Sequence, residues 1–299
     1  MIIPGNPGKI TDGLYCLGPL ENPTYLLDGG KPAMFDAGVS FLGEHYVTEL
    51  KKILGTRPLH YLFLSHVHFD HCGAAGYLKR HYPDLIICAS SISAEIIAKP
   101  SAQALIQKLS TVPGMTESQK FRPFSVDRAV GDGDRIDLQE NGFLEVLATP
   151  GHTRDMTSYY LPQLRTLIPS EAAGVPAGRG YIYAEFLVDY DSYLYSISRL
   201  AVLPVERILC AHRFIYDGDD TVGYFDEAIR QTRRFKNRIS ILLEQNGYDN
   251  EAVGRIIKAE EYGQVPEPKL AEPAYDLNLK AKISTIARRQ EKKAQKPGS

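Results

Sequence analysis

One stretch constrains this chain more than any other: Tyr61-Leu-Phe-Leu-Ser-His66-Val-His68-Phe-Asp70-His71-Cys-Gly73. An apolar run of strand length ends in four imidazole and carboxylate side chains within six residues. With 8 histidines among 299 residues, H-x-H-x-D-H arises by chance with a probability of about 10⁻⁶ per position and about 3 × 10⁻⁴ over the chain, so coincidence explains it poorly. Side chains two apart in extended chain point the same way, which brings His66 and His68 together. The turn into a helix at Gly73 lets Asp70 and His71 project into a neighbouring volume. A lone histidine is usually an ordinary core or surface residue, but this density of ligand-type groups reads as a metal site. Imidazole with carboxylate suits zinc, iron or manganese. The four cysteines (Cys16, Cys72, Cys88, Cys210) form no C-x-x-C pair. That disfavours a closed thiolate zinc site and a disulfide framework, and fits a reducing compartment.

Around this motif the sequence alternates short apolar runs with turn residues. Strands are expected at Leu14–Leu17, Thr24–Leu27, Ala33–Asp36, Tyr61–Leu64, Leu85–Ala89, Arg135–Leu138, Leu144–Ala148, Ser158–Leu161, Leu164–Ile168 and Arg207–Ala211. Helical spacing covers Phe41–Leu54, Gly73–Tyr82, Ser91–Lys99 and Ser192–Leu203. Strands interleaved with helices indicate a layered α/β or α+β body with helix-covered sheets. From about Thr221 the pattern turns helical, at Phe225–Leu243, Glu251–Tyr262 and Leu277–Arg289. We therefore expect a body over residues 1–219 and a helical C-terminal extension over 220–299, either a cap or a dimerisation arm.

The hydrophobic fraction of 43% suffices for a full core, and a net charge of −2 creates no field for nucleic acid. The charge is uneven: residues 280–299 hold seven basic side chains (Lys280, Lys282, Arg288, Arg289, Lys292, Lys293, Lys296) and one acid, Glu291. Such an end reads first as a solubilising basic tail. The first residues show no basic region followed by an apolar run, and no run approaches ~18 apolar residues. A cytoplasmic protein that meets neither membrane nor nucleic acid is expected.

In motif order, residues 10–215 resemble the metallo-β-lactamase-fold hydrolases. Ala33-Met-Phe-Asp36-Ala-Gly38 looks like the early strand whose Asp orients the site, and His66, His68, Asp70 and His71 match the signature. Pro150-Gly151-His152-Thr153 and Ala211-His212 look like the later ligand loops. The resemblance implies an α+β fold, a four-layer αββα sandwich, with a helical C-terminal extension. It further implies two divalent transition-metal ions, zinc first and iron or manganese as alternatives. His66, His68 and His152 would hold one, and Asp70, His71 and His212 the other, leaving His45, His60 and His81 as ordinary residues. One position departs from the pattern. The family's usual bridging Asp is replaced by Glu171 after Ser170, which either bridges with a longer reach or points away.

The length and the helices after Thr221 look most like the glyoxalase II and quinolone-signal-response thioesterase members. The resemblance thus implies a dinuclear hydrolase of a thioester, ester or lactone of a small acyl compound, with Asp70 and Glu171 as catalytic groups beside a metal-activated water. Five tyrosines between Gly180 and Tyr195, among them Tyr193 and Tyr195, either line an acyl pocket or serve as amphipathic cover. Two other readings stay open. A mononuclear iron oxygenase would use His66, His152 and Glu171, and a non-catalytic effector would keep metal as a structural part.

Overall fold

The computed structural model describes residues 3–4 and 8–294. Lys296, and the side chains of Lys292 and Lys293, lie outside the described residues. Two compact units form. The first comprises Met1–Ala148, Asp155–Ser170 and Pro204–Thr221, and the second Thr149–Arg154, Glu171–Leu203 and Val222–Ser299. The second unit is therefore more than the extension expected after residue 219, because two earlier segments join it.

The first unit begins with strands β1 (Ile3–Pro4), β2 (Gly8–Thr11), β3 (Leu14–Leu17), β4 (Thr24–Leu27), β5 (Ala33–Phe35), β6 (Tyr61–Phe63), β7 (Ile86–Ser90) and β8 (Arg128–Val130). It continues with β9 (Arg135–Asp137), β10 (Phe143–Ala148), β11 (Thr157–Leu161) and β12 (Thr166–Ile168). The hairpin β13 (Val175–Pro176) and β14 (Ile182–Tyr183) belongs to the second unit, and β15 (Arg207–Leu209) and β16 (Phe214–Asp217) return to the first. Two seven-stranded sheets result, in the orders β2-β3-β4-β5-β6-β7-β8 and β1-β16-β15-β12-β11-β10-β9. Strands β5 to β8 run parallel, as do β12 and β15; the other pairings are antiparallel.

Two cores follow from the alternation of side chains along the first sheet. Tyr25, Leu27, Ala33, Phe35, Tyr61, Phe63 and Cys88 point inward and pack with Ile136, Leu144, Val146, Tyr159, Ile168 and Leu209 of the second sheet. Leu26, Met34, Leu62, Leu64, Ile87 and Ala89 point outward, into a cluster with helices α1 (Gly43–Leu54), α3 (Ala75–His81) and α4 (Ser91–Ile97). Strands buried on both faces explain why β4 to β6 read as continuous apolar runs. The helix expected at Gly73–Tyr82 forms as α3, and a separate short helix, α2 (Phe69–Cys72), precedes it where a turn was expected. The α5 helix (Pro100–Ser110) has no counterpart in the sequence reading, and neither has the β13–β14 hairpin.

Two tyrosines tie the sheets together at their functional ends. Tyr159 on β11 donates its hydroxyl to the carbonyl of Leu64, 2.7 Å away, at the end of β6. Tyr25 on β4 donates to the carbonyl of Cys210, 2.5 Å away, after β15. Both phenols are fully buried, and burial raises their pKa well above the ordinary value, so both remain neutral donors. Tyr25→Phe keeps the ring but strands a buried carbonyl, which costs about 1–3 kcal/mol. Denaturant unfolding is expected to show that loss for Tyr25→Phe and almost none for Tyr248→Phe, whose ring is exposed.

Candidate metal centre

Because β5 and β6 pair in parallel with Phe35 opposite Phe63, Asp36 and Leu64-Ser65-His66 leave the sheet at one carboxyl-terminal edge. Ligands of open parallel sheets gather at such edges. Asp36 adopts a left-handed backbone (φ 59°), which an Asp tolerates better than most side chains. Its Oδ1 accepts from the Ser65 amide at 2.7 Å, and its Oδ2 accepts from Ser65 Oγ at 2.8 Å and from His71 Nδ1 at 2.9 Å. The next residues are stapled to α2, since Ala37 N donates to His71 O at 2.6 Å and Gly73 N to Gly38 O at 2.8 Å. A Cβ on Gly73 would lie 2.5 Å from the Ser40 amide nitrogen and 2.8 Å from Gly38 O, so this approach requires glycine.

Three imidazoles of this unit, His66, His71 and His212, share one arrangement: each Nδ1 faces a fixed partner. His212 Nδ1 lies 2.6 Å from Glu21 O, and His71 Nδ1 faces the Asp36 carboxylate. Ser65 Oγ, 3.0 Å from His66 Nδ1, spends its proton on Asp36 and therefore accepts from the ring. Carbonyl and carboxylate oxygens only accept, so Nδ1 carries a proton, and in the neutral ring Nε2 is then the nitrogen with the lone pair. That is the tautomer a metal takes, with the second ring nitrogen anchored. The ring centroids of His66 lie 4.4 Å from His68 and 4.3 Å from His71, and His71 lies 5.7 Å from His212. Asp70 Oδ2 is 3.9 Å from His71 Nε2. Asp70, His71 and His212 each offer a ligand atom, all within 4.8 Å of one another. Largely buried imidazoles with a carboxylate, three of them with Nδ1 anchored, fit a divalent transition metal.

Asp155, which the sequence reading did not single out, holds the loop between the two leading histidines. Its buried Oδ2 accepts from the Val67 amide at 3.1 Å and from Ser93 Oγ at 2.8 Å. The only hint in sequence is a carboxylate placed between the Pro-Gly-His turn and an apolar strand. Cys72 gives no ligand: burial, and then the charges of Asp36, Asp70 and Asp155, push its thiol well above its ordinary pKa.

His152 and Glu171 belong to the second unit. His152 is buried, and its Nδ1 donates to Glu185 O at 2.8 Å, the same arrangement again. Glu171 is 4% exposed, and its carbonyl accepts from Tyr193 Oη at 3.2 Å. Tyr193 and Tyr195 do not face the same way. On α6 (Tyr190–Leu200) residues two apart face opposite ways, so Tyr193 is fully buried while Tyr195 is 70% exposed. The Tyr193 hydroxyl is committed to Glu171 O and to the Glu185 amide, 3.1 Å away. The remaining histidines have ordinary roles: His45 pairs with Glu49 on α1, and His81 Nδ1 bonds Tyr77 O. The ring of His60 packs edge-on against Tyr61.

The family model of the metallo-beta-lactamase superfamily matches residues 17–212. The chain belongs to this superfamily. A beta-lactamase-like protein 2 homolog of Caenorhabditis elegans is 26% identical over 226 residues, covering 75% of this chain and 65% of that protein. A hydroxyacylglutathione hydrolase of Photobacterium profundum is 28% identical over 154 residues, 51% of this chain and 47% of the relative. The match thus spans less than two thirds of either relative. Among solved structures, a metallo-beta-lactamase family protein of Thermus thermophilus superposes with a TM-score of 0.64 at 18% identity, covering 95% of both chains. An archaeal superfamily protein of Sulfolobus tokodaii gives 0.61, also at 18%, over 92% of this chain and 98% of that one. The fold is therefore the α+β metallo-beta-lactamase fold, and this member carries the helices α7 (Tyr224–Gln245), α8 (Asn250–Glu261) and α9 (Glu272–Ala294) beyond the matched region. Among the described residues, no helix is long and apolar enough to cross a membrane.

Asp36→Asn keeps the size of the side chain but replaces one of its acceptors with an amide that cannot accept. Loss of such an anchor typically weakens a metal by about 10–100-fold. Zinc competition against a chelator is expected to show that drop in a protein whose circular dichroism is unchanged. An unaltered affinity would remove Asp36 from the account.

Proposed function

We propose that the chain is a two-metal hydrolase of a thioester, ester or lactone of a small acyl compound. The observation that carries this reading is the preset of four imidazoles, His66, His71, His152 and His212, each with Nδ1 anchored and Nε2 left to coordinate. The hydroxyacylglutathione hydrolases among its relatives, named for an acyl substrate, favour an acyl compound here. In this reading His66, His68 and His152 would hold one ion and Asp70, His71 and His212 the other, with Glu171 as a further carboxylate ligand. Supporting that role, Glu171 follows Ser170, whose hydroxyl donates to Ser65 Oγ at 3.0 Å, beside His66.

Divalent ions held there would supply Lewis acidity toward a carbonyl oxygen and would lower the pKa of a bound water. The chain's own groups do the rest. Asp70, 22% exposed beside His71, accepts a hydrogen bond from the attacking water and orients it. Asp36 keeps the His71 ring from turning, so the geometry survives the charge changes of the reaction. Zinc is the first expectation for the ions, because neutral imidazole with carboxylate suits it at neutral pH.

Hydrolysis is tested with a panel of acyl thioesters, lactones and a phosphodiester on metal-loaded protein. Turnover of an acyl substrate is expected. His68→Ala is expected to reduce it to background in a folded protein, and His81→Ala to leave it nearly unchanged. Equal losses in the two variants would contradict the ligand assignment. Glu171→Gln removes a negative charge between two cations and is expected to lower the metal content below two ions per chain, whereas Glu171→Asp keeps both. An unchanged stoichiometry in Glu171→Gln would refute the bridging role.

A further inference from the structure

The last helix is not the free basic tail that its composition suggests. Along α9, Asn278, Lys282, Thr285 and Arg289 follow one another at spacings of four, three and four, a single stripe of the helix. Each meets the segment Ala184–Asp191, in step. Asn278 Nδ2 donates to Glu185 Oε2 at 2.8 Å. Lys282 Nζ donates to Ala184 O at 3.0 Å and to Glu185 Oε1 at 3.2 Å. Thr285 Oγ1 donates to Leu187 O at 2.7 Å, and Arg289 grips Asp191 through two bonds of 2.7 and 2.8 Å. The Lys282–Glu185 pair is unusual, because both side chains are 1% exposed. The ammonium also lies 4.9 Å from the Phe235 ring centroid and 5.8 Å from that of Tyr275.

A buried ion pair contributes little net stability, since desolvation offsets most of the attraction. A geometric role explains its presence better. Glu185 is the residue whose carbonyl accepts the His152 Nδ1 proton, and its amide donates to Tyr193 Oη, which in turn donates to the carbonyl of Glu171. Every hydrogen-bonding group of Glu185 is thus engaged: both carboxylate oxygens by α9, the carbonyl by His152 and by the Leu187 amide at 3.0 Å, and the amide by Tyr193.

We infer that Lys282 and Asn278 of α9 are positioning residues, which clamp Glu185 so that its carbonyl fixes His152 as the Nδ1–H tautomer, with Nε2 ready to bind a metal. The part concerning metal rests on the proposed role of His152; the tautomer itself does not. The C-terminal helix is then part of the metal centre's support, two bonds removed from a ligand. Arg289 tethers the same helix to the same segment without reaching His152, and so provides the control.

The test is the ¹⁵N spectrum of the histidine rings in metal-free, full-length protein, with the His152 signals assigned through His152→Ala. The wild type is expected to show a single Nδ1–H tautomer at His152. Lys282→Met is expected to give a mixture of tautomers and, in a chelator competition, zinc affinity weaker by about 10–100-fold. Arg289→Ala is expected to match the wild type in both. If Lys282→Met does not fold, Asn278→Leu, which leaves the ion pair in place, is read in the same way, with a several-fold loss. A wild-type tautomer and affinity in the folded variant overturn the proposal, and so does an equal loss in Arg289→Ala, which would reduce α9 to general docking. Should the wild type hold the tautomer yet bind no zinc, the clamp stands and the hydrolase reading fails.

Discussion

The carboxylate of Asp36 is the joint on which the first unit's site depends. It sits where two parallel strands end and satisfies three donors at once, two from Ser65 and one from His71. Its left-handed backbone costs of order 1 kcal/mol, a strain that persists only where surrounding contacts fix it. Here the Asp36 amide on Phe63 O and the Ala37 amide on His71 O do so. One negative charge thereby orders the loop carrying His66 and, through Ser65 Oγ, influences which nitrogen of His66 bears the proton.

The same physical solution recurs on unrelated pieces of backbone. His212 uses the carbonyl of Glu21 and His152 that of Glu185, so an oxygen that only accepts places the Nδ1 proton there as Asp36 does at His71, while at His66 a serine hydroxyl committed to Asp36 takes that part. Tyr25 and Tyr159 act one level further out. Each spans the two sheets to a carbonyl beside a site segment, so the packing of the sandwich and the spacing of the histidines are coupled.

Much of this was legible in the sequence, for identifiable reasons. The runs at Leu14–Leu17 and Thr24–Leu27 are bounded by glycine and proline and became strands with those limits. The histidine cluster declared itself because four ligand-type groups follow a buried strand. Less local features were hidden. Asp155 supports Val67 across 88 residues, and nothing in its immediate neighbours announces that contact. For the tyrosine-rich segment the sequence left pocket lining and amphipathic cover both open, because composition alone does not show that helical geometry turns Tyr193 inward and Tyr195 outward. The basic end looked like a solvated tail because composition cannot show that Lys282 pairs with a carboxylate 97 residues away.

The central claim is that this arrangement of imidazoles and carboxylates exists to hold two divalent ions. Imidazoles must be unprotonated to coordinate, so binding weakens as pH falls through the histidine range near ~6.5. Elemental analysis of freshly purified protein at neutral pH, expressed as metal per chain, tests the claim most directly. The account predicts close to two transition-metal ions per chain, lost on dialysis at low pH and regained at neutral pH. No more than trace metal, with no uptake when zinc is supplied, would contradict it.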